Sequence, residues 1–153
     1  AQAMNPRRCL CLGLLLLVGH AGAAAWPHFL RWRQTQPASL ENPLDTWSRQ
    51  VIGQVAEKFG ARAVSPSDRP YLPFQQWAMR AEGLKASPLG LLIHPEFGLW
   101  HGYRGAIGLA EHIDYPAFDI QQHPCDHCPD KPCLTTCPAS AVTSQPSASF
   151  WLA

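Results

Sequence analysis

The chain has 153 residues, of which 46% are hydrophobic and 15% charged, with a formal net charge of +1. That is enough for one modest domain with a real core, and it excludes a disordered chain. A near-neutral balance gives no support to nucleic-acid binding or to attraction to an anionic membrane.

The charge is unevenly placed. Residues 1–40 hold Arg7, Arg8, Arg31 and Arg33 and no acid, whereas residues 105–153 hold Glu111, Asp114, Asp119, Asp126 and Asp130 against Lys131. The acidic end reads either as a solvated Asp-rich loop or as a docking face for a basic redox partner protein.

The N-terminus admits two readings. RRCLCLGLLLLVGHAGAAA, with a basic start, an apolar run and small residues after it, has the pattern of a secretory signal peptide and so of export. Its apolar run, Leu10–Val18, is too short for a membrane span. The rival is a buried strand, Leu12–Val18, followed by a Gly/Ala turn, since a short apolar run bounded by glycines suits a strand covered on both faces.

Ala24–Gln34 is expected to be a helix with Pro27 in its first turn, where a missing N–H costs nothing. A longer helix follows, with Asn42 as its cap, Pro43 opening it and Gly60 closing it. Leu44, Trp47, Val51, Val55 and Phe59 recur at three- or four-residue spacing and mark its expected buried face. Ala61–Val64 reads as a strand and 65–73 as a Pro-rich loop. Phe74–Glu82 reads as a third helix, stopped by Gly83 and burying Phe74, Trp77, Ala78 and Ala81.

Leu91–His94, Pro95–Gly98 and Leu99–Ala110 then read as strand, turn and strand. Residues 111–124 look loop-like, and the Ser-rich end, 144–153, is expected to be disordered. His94, His101 and Arg104 flank the turn and are expected to be hydrogen-bonded structural groups. Trp77, Trp100 and Tyr103 are expected in the core rather than stacked on a flat cofactor. GxGxxG, P-loop and H-E-x-x-H patterns are absent, so nucleotide binding and zinc proteolysis have no support, and no catalytic residue stands out.

The strongest signal is CDHCPDKPCLTTCP. Cys125, Cys128, Cys133 and Cys137 are spaced C-x2-C-x4-C-x3-C with Pro138 next. Four thiols in thirteen residues suit a metal centre better than a disulfide framework, which ties distant segments together, and they imply a reducing, cytoplasmic compartment. The x3-C-P ending favours a [4Fe–4S] cluster, in which each iron takes one thiolate. Structural zinc is the alternative, with His123 and His127 as further ligands nearby. Cys9 and Cys11, inside the apolar run, are expected to be core residues.

HPCDHCPDKPCLTTCPASAV resembles a ferredoxin-type 4Fe–4S segment. Its x4 gap with Pro132 before the third cysteine is similar to clusters in electron-transfer subunits of molybdopterin oxidoreductases. PFQQWAMRAEGLKASPLGLLIHPEFGLWHGYRGAIG resembles bacterial ferredoxin-like proteins distantly related to epoxyqueuosine reductase and the corrinoid reductive dehalogenases. Over residues 13–143 the resemblance implies an α/β (α+β) fold, with a nitroreductase-like layered region at 12–120 behind a short N-terminal segment, 1–11. A ferredoxin-type loop at 121–143 would follow. It also implies an electron-transfer role, with a corrinoid or substrate bound by the α/β region as the enzyme alternative.

The chain departs from a two-cluster module in lacking a second cysteine group downstream. In such a module Cys125, Cys128 and Cys133 would share one cluster and Cys137 would serve the other. Here either Cys137 completes a single cluster or the site is truncated.

Overall fold

The structure, a computed structural model, describes residues 13–111 and 123–142. Cys9, Cys11, Asp114, Asp119, most of the expected 111–124 loop and the 144–153 tail lie outside the described residues.

Three strands and three main helices make an α+β unit. Their order is β1 (Leu14–Ala21), α1 (Trp26–Gln34), α2 (Pro43–Lys58), β2 (Arg62–Val64), α3 (Phe74–Glu82) and β3 (His101–Leu109). A 3₁₀ turn at Pro124–Asp126 and the short helix α4 (Pro132–Thr135) belong to the cysteine segment. The apolar run is therefore a strand from Leu14 onward. No helix among the described residues is long and apolar enough to cross a membrane.

The sheet has the order β1-β3-β2, with β3 antiparallel to both neighbours. Leu17 and Val18 are successive residues of β1 and so point to opposite faces. Val18 packs with Ile52, Ala56 and Ile107 beneath α2, while Leu17 packs with Ala78, Leu84, Leu92 and Tyr103 beneath α3. Helices thus cover both faces of a small antiparallel sheet.

The helix ends follow local chemistry. Gly60, at φ +58°, closes α2: its N–H donates to the Glu57 carbonyl, and that of Ala61 donates to the Ala56 carbonyl. This crossed pair satisfies carbonyls that a helix end otherwise leaves open. Gly83, also left-handed, ends α3. The other end of α2 differs from expectation. Asn42 adopts φ 47° and makes no side-chain cap; its carbonyl instead accepts from the Thr46 N–H and hydroxyl.

The buried face of α2 is also displaced from the apolar stripe. Ser48, Ile52 and Ala56 are buried, whereas Val51, Val55 and Phe59 are exposed, Phe59 by 69%. The cause lies on β3. A Cβ built on Gly105 would sit 2.6 Å from Ile52 Cδ1 and 2.9 Å from the Val64 carbonyl oxygen. The bare backbone lets α2 approach along its small-residue face, and the bulkier stripe rotates away. On α3, Phe74 and Ala78 are buried as expected, but Ala81 is exposed and Trp77 only half-buried.

The expected hairpin is reduced to its turn. His94 and Gly98 exchange two backbone hydrogen bonds of 2.9 Å around Pro95–Phe97, but the first arm makes only isolated bridges. The Leu91 carbonyl is taken by the Ser87 N–H and hydroxyl within a local turn, and Pro88 lacks an N–H for any ladder. β3 accordingly starts at His101. Trp100, just before it, is 80% exposed rather than core.

Gly105→Ala is expected to destabilise the fold by roughly 1–3 kcal/mol, the cost of overpacking a close approach. Pairing it with Ile52→Val should recover only part of that loss, because the Val64 carbonyl still blocks the new methyl. Chemical denaturation of the three variants checks both statements.

Candidate metal centre

The cysteine segment is built by four prolines and two left-handed residues. Pro124 opens a 3₁₀ turn carrying Cys125, and the Asp126 N–H donates to the His123 carbonyl at 2.8 Å. His123 is buried, and its Nδ1 accepts from the Cys125 N–H at 3.2 Å. Lys131, at φ 38°, then turns the chain so that Pro132 can start α4, which carries Cys133. Thr136 seals that helix by donating its N–H and hydroxyl to the Pro132 carbonyl. Cys137 follows, and the Ser140 N–H folds back onto its carbonyl at 3.0 Å, with Ser140 at φ 49°.

One tether to the body is an ion pair. Lys85 Nζ lies 3.4 Å from Asp126 Oδ2, joining the cysteine turn to the chain just after α3. Both side chains are more than half exposed, so the pair orients the loop more than it stabilises it.

All four cysteines of the segment are free thiols and half-buried. Their electrostatics divide them. Burial pushes the Cys125 thiol up, and Cys133, Cys128 and Asp126 push it further, against a weaker pull from Lys131. Cys133 and Cys128 therefore lie near enough to act on Cys125.

Cys137 is not among the groups acting on Cys125. Its own thiol is held below the usual range by backbone N–H groups, first Ala141, then Ala139, with Val142 and Ser140 adding less. Among the described residues no three His, Cys, Asp or Glu side chains stand ready-made to hold a metal ion. Within the segment, then, the neighbouring thiols act on Cys125, and backbone N–H groups act on Cys137.

The donor set fits an iron–sulfur cluster in kind. Thiols supply the ligands, and amide N–H groups aimed at sulfur are the partners that cluster sulfurs take. His123 Nε2 is buried beside this loop with no hydrogen-bond partner. His127, the other imidazole considered for zinc, is exposed.

Comparison with known proteins adds no relative. No family model matches the chain, and neither the curated proteins nor the solved structures contain a match.

The histidines flanking the Pro95–Gly98 turn are hydrogen-bonded, as expected. His94 Nδ1 accepts from the Glu96 and Phe97 N–H groups at 3.1 and 3.2 Å, and His101 Nδ1 bonds the Gly98 carbonyl at 2.9 Å. Arg104 lies 3.9 Å from Asp45. Tyr103 donates to Glu82 Oε2 at 3.0 Å; burial, then the Glu82 charge, pushes its phenol far up.

His20 was not marked by any sequence pattern. It is placed by an irregularity of register: pairing steps from Val18↔Gly105 to Gly19↔Tyr103, leaving Arg104 unpaired. The cross-strand partner of His20 is glycine, Gly102, and the imidazole lies over it.

The opposed shifts predict an order of reactivity. In the metal-free chain at neutral pH, Cys137 holds more thiolate than an ordinary cysteine and Cys125 holds less. Iodoacetamide is expected to label Cys137 first and Cys125 last. The gap should narrow as pH rises above the ordinary thiol range, where both are ionised. Peptide mass mapping across a pH series reads the order directly, and equal rates at neutral pH would contradict the opposed shifts.

Proposed function

We propose that this chain is an iron–sulfur redox protein that carries electrons through a [4Fe–4S] centre on the cysteine segment. The observation that carries the reading is the C-x2-C-x4-C-x3-C-P run of four free thiols on a proline-braced loop. The C-x2-C-x4-C-x3-C-P spacing supports iron–sulfur over zinc.

When bound, such a cluster supplies a one-electron relay. This chain's residues would do the rest. Cys125, Cys128 and Cys133 hold three corners, and Cys137, carried on a turn of its own, closes the fourth. The N–H groups of Ala139 and Ala141 stabilise negative charge at that corner. Asp126 and Asp130 keep the loop acidic, which suits a basic partner protein. Helices on both faces of the sheet accord with a layered scaffold of the nitroreductase kind, and the Lys85–Asp126 pair fixes where the loop leaves it.

Iron and acid-labile sulfide in anaerobically purified protein test the reading. About four irons and four sulfides per chain are expected, with a broad absorption that dithionite bleaches. Replacing Cys125, Cys128 and Cys133 together by serine should lose nearly all of both. Cys137→Ser should retain about three irons, because only one corner is lost. One zinc per chain without sulfide would replace the redox reading with a structural one.

A further inference from the structure

An apolar cavity of about 270 Å³ lies on the α2 face of the sheet, away from the α3 face. Trp26, Phe29 and Trp47 form an aromatic wall. The Phe29 ring lies 5.2 Å from Trp26 and 5.7 Å from Trp47, centroid to centroid. Opposite this wall stand His20 and Arg104. Ser48 also lines the cavity, but its hydroxyl is already used, donating to the Leu44 carbonyl at 2.8 Å.

Three observations point to a ligand. His20 Nδ1 is buried without a well-formed hydrogen bond, although the Gly102 backbone is near enough to act on the imidazole, and such a state costs free energy unless something pairs with it. Arg104 has one ionic neighbour, Asp45, at a loose 3.9 Å, and it shares this cavity wall only because the register slip leaves it unpaired. Finally, no carboxylate lines the cavity or the open groove that continues from it past Ala25, Trp47 and Val51. That groove adds His28 and Arg31, themselves joined at 3.0 Å. Aromatic walls together with basic groups and no carboxylate in the lining are complementary to an aromatic anion.

We infer that this cavity binds a small planar aromatic acid, its ring against Trp26, Phe29 and Trp47 and its carboxylate on Arg104 and His20. A guanidinium offers a forked pair of donors that matches a carboxylate, and an enclosed site strengthens the contact. Apolar walls with a few convergent polar groups are the usual anatomy of small-ligand sites. The site is separate from the cysteine segment, so it stands whether or not a cluster is bound.

The test uses two matched compounds, 2-naphthoate and the uncharged 2-naphthamide, titrated calorimetrically into the full chain. The acid is expected to bind about tenfold more tightly than the amide, the usual reach of one charge-assisted hydrogen-bonded contact. This comparison needs no variant and so does not depend on any variant folding. Arg104→Gln should bring the two affinities together, Arg104→Lys should keep part of the difference, and Trp26→Ala should weaken both compounds alike. Equal affinity of acid and amide in the wild type, binding of neither, or tighter binding of the aliphatic acid decanoate would overturn the assignment.

Discussion

The contact on which the rest of the molecule depends is the approach of Ile52 to the bare backbone of Gly105 at the centre of β3. β3 is the strand that both others pair with, and α2 reaches it only where no side chain intervenes. That approach selects Ser48, Ile52 and Ala56 as the buried stripe and turns Val55 and Phe59 to solvent. It also tilts Leu44, Trp47 and Val51 toward α1, where they form one side of the aromatic cavity. A pocket on one side of α2 and an exposed phenylalanine on the other thus have the same origin.

The slip at Arg104 is the second constraint, and it divides the end of the sheet chemically. One extra residue on a strand exchanges the faces of everything beyond it. Beyond the slip, Tyr103 faces α3 and bonds Glu82, while Arg104 faces α2 beside His20. Without it, strict alternation from Gly105 would put Arg104 on the α3 face and Tyr103 on the α2 face. The α3 face consequently acquires a closed network of Tyr103, Glu82 and His94, whose polar atoms mostly answer one another. The α2 face keeps two basic groups with little to answer them.

Much of the fold was legible in the sequence where the signal was local. Pro43 and Gly60 mark α2, Gly83 marks the end of α3, and the apolar run after Gly13 forms a strand, because each of these depends on a few adjacent residues. What was not legible depends on residues far apart in the chain. The buried face of α2 is decided by Gly105, more than forty positions on, so apolar periodicity pointed to the wrong stripe. Leu91–His94 has strand-like composition, but the Ser87 side chain and Pro88 use up its bonding locally. The candidate site shows the same limit. Cysteine spacing located the segment, but the different surroundings of Cys125 and Cys137 depend on backbone turns at Lys131 and Ser140 that composition does not announce. His20 carried no signal at all, since its position comes from cross-strand register.

The division among the cysteines has a physical consequence for how the segment meets a metal. Burial, and after it the neighbouring Cys133 and Cys128, raises the cost of ionising Cys125. A cation, if one bound there, would invert the sign of the thiolate repulsion and release the proton. Pro129, Pro132 and Pro138 reduce the conformational freedom that closure must remove, so charge rather than chain entropy is the larger barrier. Cys137 escapes this opposition, because its countercharge is already present as fixed amide dipoles. A cation approaching the segment would meet a Cys137 sulfur biased toward thiolate and a Cys125 sulfur biased away from it.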